Sequence, residues 1–202
     1  LPERHGPYTI AYNRFNRWRK AGVWDRLMDA VTKAHGGQVQ MIDSSSVRVH
    51  QHASGAKKRV EIAVCGAQSR WAHRRVDCQG RPIQLLITPG QAHDLIGAQP
   101  LLAALSPGTT IVADKAYDAD RLRDHIKACG GICNIPNMIR RKKRFRWTKA
   151  LYRERNHVER FFNKVKQFRR IATRYDKLGA SYLAFLQLAT VRISLRLIES
   201  TP

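Results

Sequence analysis

The spacing of apolar residues changes period along the chain, and each change marks an element. Tyr8, Tyr12, Phe15 and Trp18, then Val23, Trp24, Leu27 and Val31, recur at helical spacing with a break at Gly22, which predicts a helical pair over 8–33. Gly36-Gly37 reads as a linker. Residues 39–49 are apolar at both ends and polar in the middle, and read as a strand with Asp43 inside it. Residues 50–60 are polar and read as a loop, and Val60-Glu61-Ile62-Ala63-Val64 can form a second strand. Gly80-Arg81-Pro82 is a turn, followed by a strand over 83–88 that Pro89-Gly90 ends. A helix over 95–105, a turn at Ser106-Pro107-Gly108 and a short buried strand over 109–118 come next. They are followed by a helix over 120–129, a strand over 132–135 stopped by Pro136, and a last apolar helix over 182–197. Strands alternating with helices make this an α/β chain.

Residues 152–170 carry the most information. No Gly or Pro interrupts them, and the pattern predicts one amphipathic helix. At about 100° per residue three faces emerge. Val158, Phe161, Phe162, Val165 and Phe168 share the face expected to meet a core; Arg153, Arg160 and Lys164 share the far side. Between them Tyr152, Arg155, Glu159 and Lys166 fall within roughly 60° of each other, with Arg170 close by. A lone carboxylate thus lies at the edge of the core in a strip of cations and a tyrosine. Simple i, i+4 charge pairing on a solvated face is one account of this strip. The other is that the acid holds a metal while the cations hold phosphates.

Charge sharpens the second account. The chain has 202 residues and a formal net charge of +22, with a pI near 10.8, so an anionic polymer is the first partner to consider. Residues 140–177 hold 16 Lys/Arg against 3 Asp/Glu. Such clustering favours nucleic acid, although a basic binding protein without chemistry fits the composition too. The run Arg140-Arg141-Lys142-Lys143-Arg144-Phe145-Arg146-Trp147 is either a solvated loop or a phosphate-contacting arm. No signal peptide and no apolar run of the ~18 residues that a membrane span needs is visible, so no membrane partner is expected. Cys65, Cys78, Cys129 and Cys133 lack framework spacing, and the default compartment is a reducing cytoplasm. His125-x3-Cys129-x3-Cys133 imitates metal-ligand spacing, but Gly130-Gly131 break the segment and a fourth ligand is missing. The two cysteines are expected to pack as small core residues.

Several acids stand where carboxylates are costly or informative. Asp43 inside an apolar strand needs a partner, either neighbouring Ser hydroxyls or a metal. Asp114 lies at the end of a buried strand, where α/β sheets tend to carry sites. Asp94 is expected to cap the helix after it, and Asp118 or Asp120 the helix over 120–129.

Tyr152-x2-Arg155-x3-Glu159-x6-Lys166 resembles the signature helix of bacterial insertion-sequence DDE transposases, with insertion sequence families five and four looking closest. Other blocks share the resemblance: Ile42-Asp43-Ser44-x-Ser46-Val47-Arg48, Thr88-Pro89-Gly90-x2-His93-Asp94, Ala113-Asp114-Lys115-x-Tyr117-Asp118, and Ile171-Ala172-Thr173-Arg174-Tyr175-Asp176-Lys177. The resemblance implies a ribonuclease H-like catalytic domain over 37–202, a mixed sheet flanked by helices. Residues 1–36 would be the helical remnant of an N-terminal DNA-binding region, with several tens of family residues preceding Leu1. It implies that Asp43, Asp114 and Glu159 are the catalytic carboxylates and hold two Mg2+ or Mn2+ ions. It implies that Tyr152, Arg155, Lys166 and Arg170 bind DNA. The expected activity is that of a transposase: metal-dependent DNA strand cleavage and strand transfer at insertion-sequence ends. Its partners would be double-stranded DNA and a second copy in a homodimer, in the bacterial cytoplasm at the nucleoid.

Residues 59–76 depart from the family pattern, which has a Gly-rich turn and a strand opened by a Thr/Lys run at this point. Compensating frameshifts or decay would leave such a scrambled block between matching flanks, and translating the gene in all three frames tests that. The alternative function is therefore a catalytically dead transposase remnant that only binds DNA. A ribonuclease H-like nuclease of another role is a third reading, distinguished by cleavage without preference for terminal repeats.

Overall fold

The computed structural model describes residues 3–33, 35, 37–50, 70–88, 93–176 and 178–199. Its centre is a six-stranded mixed sheet. β1 (Val39–Val49) lies in the middle; β2 (Arg70–Asp77) pairs antiparallel with it, and β3 (Pro82–Thr88) antiparallel with β2. On the other side β4 (Thr110–Val112) and β5 (Ile132–Asn134) run parallel, giving the order β3-β2-β1-β4-β5. A short β6 (Thr173–Arg174) pairs parallel with the far end of β1. This is the ribonuclease H-like mixed sheet expected from the sequence.

Helices cover both faces. α1 (Tyr8–Lys20) and α2 (Val23–Thr32) are divided at Gly22, whose φ of +65° suits a residue without a Cβ. α3 (Asp94–Leu102) and α4 (Asp120–Ala128) lie on one face of the sheet. There Ala98, Leu102, Leu122 and Ile126 close over Ile42 and Ile111. The opposite face takes the segment after β5: α5 (Lys149–Arg153), α6 (Asn156–Lys166), α7 (Arg169–Ala172) and α8 (Gly179–Glu199). Val158 packs with Met41, Val76 and Val112, while Phe161, Val165, Tyr182 and Leu186 pack with Val47 and Ala72. The N-terminal pair rests on α8: Phe15 stacks on Phe185 at 4.1 Å, and Gln187 donates to Asp25 at 2.8 Å.

Strand alternation decides what each face receives. Met41, Asp43, Ser45 and Val47 look toward α6, and Ile42 and Ser44 toward α3. A one-residue slip would exchange the two sets, so the burial of Met41 and Ile42 on opposite faces fixes where Asp43 points.

Several expected elements differ. The helix over 152–170 is three helices. Arg155 N–H reaches Tyr152 O, His157 N–H reaches Glu154 O and Val158 N–H reaches Arg155 O, all three residues back. This tightened turn divides α5 from α6 while Arg155 keeps helical dihedrals (φ −54°, ψ −23°), so the direction holds. The true break is Phe168, extended at φ −77° and ψ 111°. The strand over 109–118 is paired only at Thr110–Val112. Asp94 does not cap α3; His93 does, its Nδ1 accepting from Leu95 N–H at 3.3 Å. The N-cap of α4 is Ala119, with neither Asp118 nor Asp120 in that position. From residue 70 the departing block forms a full-length β2, in register from Gln40↔Asp77 to Val47↔Arg70; the strand expected over 60–64 lies outside the described residues. Among the described residues no helix is long and apolar enough to cross a membrane.

Candidate active site

One guanidinium reaches three carboxylates. Arg155 Nη2 bonds Glu159 Oε1 at 2.6 Å, and its Nη1 lies 3.7 Å from Asp43 Oδ1 and 4.0 Å from Asp114 Oδ2. The acids come from β1, from the turn after β4, and from the first turn of α6. Each is positioned by local chemistry. Asp43 is turned toward α6 by strand alternation. Asp114 accepts the Ala116 N–H at 2.9 Å and so opens the 3-10 turn Lys115–Tyr117. Glu159 follows the buried Val158, which seats α6 on Met41 and Val112 and leaves the next residue at the rim.

Asp43 takes the Ser44 backbone N–H at 2.9 Å, and the Ser hydroxyls go elsewhere: Ser44 Oγ donates to Asp94 Oδ1 at 2.7 Å, and Ser45 Oγ accepts from Lys166 Nζ at 2.7 Å. Burial pushes the Asp43 carboxyl above its ordinary 3.8, against the pull of the Ser44 N–H, Arg155 and Arg74, and Asp114 pushes it the same way. Burial also lowers Lys166, helped by the positive charge of Arg74 and opposed by Asp43. Tyr117, which shares a hydrogen bond with Ser44, is raised by burial.

Of the cationic strip read from the sequence, Tyr152, Arg155, Glu159 and Lys166 stay together. The Arg155 guanidinium lies 5.8 Å from the Tyr152 ring, and Lys166 reaches β1 one alternate position beyond Asp43. Arg170 stands apart from the acids, bonded to Asp176 at 3.2 Å and 4.5 Å from the Phe185 ring. Hard oxygen donors on three elements suit Mg2+ or Mn2+ in kind. As the side chains stand, the Arg155 cation is among them, and no three His, Cys, Asp or Glu of the described residues are grouped to share one ion.

The basic run is a folded arm. Asn137 pairs both ways with Phe145 (Nδ2 to O, 2.8 Å; N–H to Oδ1, 2.9 Å), and Asn134 does the same with Thr148 (3.1 and 2.6 Å). Buried Asp118 anchors its base, accepting from Arg123, Arg141 and the Met138 N–H. Burial opposes the charge on Asp118, but the Met138 N–H with Arg141 and Arg123 outweighs it, and its pKa falls. Lys142, Lys143, Arg144 and Arg146 are left to solvent or a ligand. Cys129 and Cys133 pack against the α3–α4 core. Sequence reasoning missed Ser45, Arg74 and the two asparagines. Only Arg74 left a trace, as one of three consecutive polar residues where a buried strand was needed.

The transposase DDE domain family matches residues 34–193. A putative transposase for an insertion sequence element of Brucella ovis is 38% identical over 134 residues, covering 61% of this chain and 96% of the relative. A transposase for an insertion sequence element of Neisseria meningitidis serogroup B is 46% identical over 55 residues, 27% of this chain and 19% of the relative. Among solved structures, a piggyBac transposase synaptic complex with hairpin DNA aligns with a TM-score of 0.48 at 9% identity, over 100% of this chain and 56% of that one. A Mos1 transposase paired-end complex aligns with a TM-score of 0.33 at 11% identity, over 87% of this chain and 61% of that one. The family match runs from before β1 into α8 and so takes in the whole sheet and all three acids: the chain belongs to the transposase DDE domain family.

Proposed function

We propose that this chain cleaves and joins DNA strands at the ends of an insertion sequence, with Asp43, Asp114 and Glu159 as the metal-holding acids. The observation that carries the reading is the single Arg155 guanidinium within 4.0 Å of all three carboxylates. A cation that three acids already share marks a place where negative charge converges, and hard carboxylate oxygens suit Mg2+ or Mn2+. Two such ions, when bound, supply charge stabilisation for the attacking and leaving oxygens of an in-line phosphoryl displacement.

The chain's own groups have separate tasks. Arg155, which is partly exposed at the α5–α6 junction, would turn from Glu159 to a DNA phosphate near the cleaved bond. Lys166 holds a neighbouring phosphate, and its bond to Ser45 ties that contact to β1. Tyr152 offers a ring for base stacking beside Arg155. Arg170 and the arm over 140–147 extend the cationic path along the duplex. Residues 37–202 form the catalytic unit, 1–36 belong to a DNA-binding region, and two copies act on two transposon ends.

Isothermal titration of Mn2+ into the folded chain, beside Asp43→Ala, Asp114→Ala and Glu159→Ala, tests the acid set. Binding in the parent and its loss in all three variants is expected, with metal-dependent nicking of DNA that carries the element's ends. Binding that survives any of the three removes that residue from the set. A second reading, a remnant that binds DNA without cutting it, is favoured by one observation: the buried Arg74, paired in the sheet with Asp43, whose Nε and Nη2 have no hydrogen-bond partner among the described residues. Tight DNA binding without metal-dependent nicking is its signature.

A further inference from the structure

β2 places His73, Arg74 and Arg75 in succession within a buried strand. Two of them have an outlet. His73 Nε2 lies 2.7 Å from Thr88 Oγ1, and Arg75 Nη1 donates to Ala104 O at 3.4 Å. Arg74 is different. It is 2% exposed, and its Nε and Nη2 have no hydrogen-bond partner among the described residues. Its guanidinium lies against the rings of Phe162 and Phe161, 5.2 Å from the latter. In the sheet register it stands directly opposite Asp43 and faces the same side, toward α6.

Burial pushes the Arg74 guanidinium well below its ordinary value and the Asp43 charge pulls it back up, but a guanidinium keeps its proton in a protein, so Arg74 stands as a positive charge at that place. Arg155 is also a cation beside Asp43, but it is 20% exposed, sits at the α5–α6 junction, and can swing to solvent or to a phosphate. Arg74 is buried against Phe161 and Phe162 and lacks the solvent-facing position that Arg155 has. An arriving metal ion can displace the first cation and must tolerate the second.

We propose that Arg74 is a built-in counter-cation to Asp43 that competes with divalent metal at the three-carboxylate cluster, so that this chain holds metal more weakly than its acids alone would. The inference rests on the reading of Asp43, Asp114 and Glu159 as the metal-holding set. A fixed unit charge several ångströms from a doubly charged ion, in a medium of effective dielectric near 20, is enough to weaken binding by about tenfold or more. Methionine keeps the length of the stem, suits a site lined by two rings, and removes the charge.

The test is isothermal titration of Mn2+ into the full chain as wild type, Arg74→Met, Arg75→Met and Arg74→Met with Asp43→Ala, each checked for folding by circular dichroism. Arg74→Leu replaces Arg74→Met if the latter does not fold. Arg75 faces away from the acids, so Arg75→Met reports what a lost strand charge does in general. The expected result is at least about tenfold tighter Mn2+ binding in Arg74→Met, no such gain in Arg75→Met, and loss of binding when Asp43→Ala is added. Measurable wild-type binding that Arg74→Met leaves unchanged overturns the inference and leaves the acid set standing. An equal gain in Arg75→Met also overturns it. No binding in either folded wild type or Arg74→Met overturns the metal reading of the acids, and this inference with it.

Discussion

Lys166 Nζ donates to Ser45 Oγ at 2.7 Å, a contact between residues 121 apart in sequence. It fixes the last turn of α6 to the strand that carries Asp43, and it holds a cation one alternate strand position from that acid. Lys166→Met should therefore weaken DNA binding with little loss of stability, because the ammonium is at an exposed position. One phosphate contact fewer lowers the slope of log affinity against log salt by about 0.9. Fluorescence anisotropy across a salt series measures this, and an unchanged slope assigns Lys166 to structure alone.

Asp43 titrates in a direction that has a consequence for stability. Its carboxyl is raised above 3.8, chiefly by burial, so the folded chain holds the proton more tightly than the unfolded chain. Stability from this residue is full below the unfolded value and falls as pH rises through the folded one. Asp43→Asn escapes that loss. It should match wild type near pH 3.8 and exceed it at neutral pH. Urea midpoints measured across this range check the sign; a variant less stable at neutral pH than in acid, relative to wild type, contradicts it.

The arm depends on two asparagines that stand in for strand pairing. Asn137→Ala removes both bonds to Phe145, and the part-buried backbone groups left behind cost at most about 1–3 kcal/mol locally. Trypsin should then cut within 140–146 faster than in wild type, while the melting temperature of the core changes little. Equal cleavage rates would mean that Asp118 alone holds the arm.

Gly97 is required by a close approach. A Cβ there would stand 2.5 Å from the His73 ring, which is fully buried and bonded to Thr88. Gly97→Ala should cost about 1–3 kcal/mol through overpacking. Adding His73→Ala should recover part of that loss, seen as favourable coupling in a double-mutant cycle of denaturation midpoints.

Asp118 gives the opposite pH sign to Asp43. Its pKa is lowered, so its contribution is present above 3.8 and lost as pH falls through the lower folded value. Asp118→Asn leaves Arg123 buried beside a neutral amide and should destabilise the chain by about 3 kcal/mol at neutral pH. The gap should close in acid, and a gap independent of pH would assign the loss to packing.

The sequence by itself determined what local chemistry controls. The apolar ends and polar middle of 39–49 set β1 and placed an acid inside it, and the apolar spacing of Val158, Phe161 and Val165 set the buried face of α6. Four residue types at fixed offsets across α5 and α6 carried the family, and charge density pointed to a polyanionic partner. Backbone propensity and side-chain period act over a few residues, so they are legible in order along the chain. Tertiary structure decided the rest, because it depends on residues distant in sequence. The i→i+3 turn at Arg155 and the extended Phe168 divide the expected continuous helix where the segment packs on the sheet. Asp118 anchors an arm instead of capping a helix because Arg141 and Met138 arrive from beyond β5. Only the sheet register sets Arg74 against Asp43, and only packing leaves its Nε and Nη2 without a hydrogen bond among the described residues. Such pairings pass through space between strands and helices, and no period in the sequence encodes them.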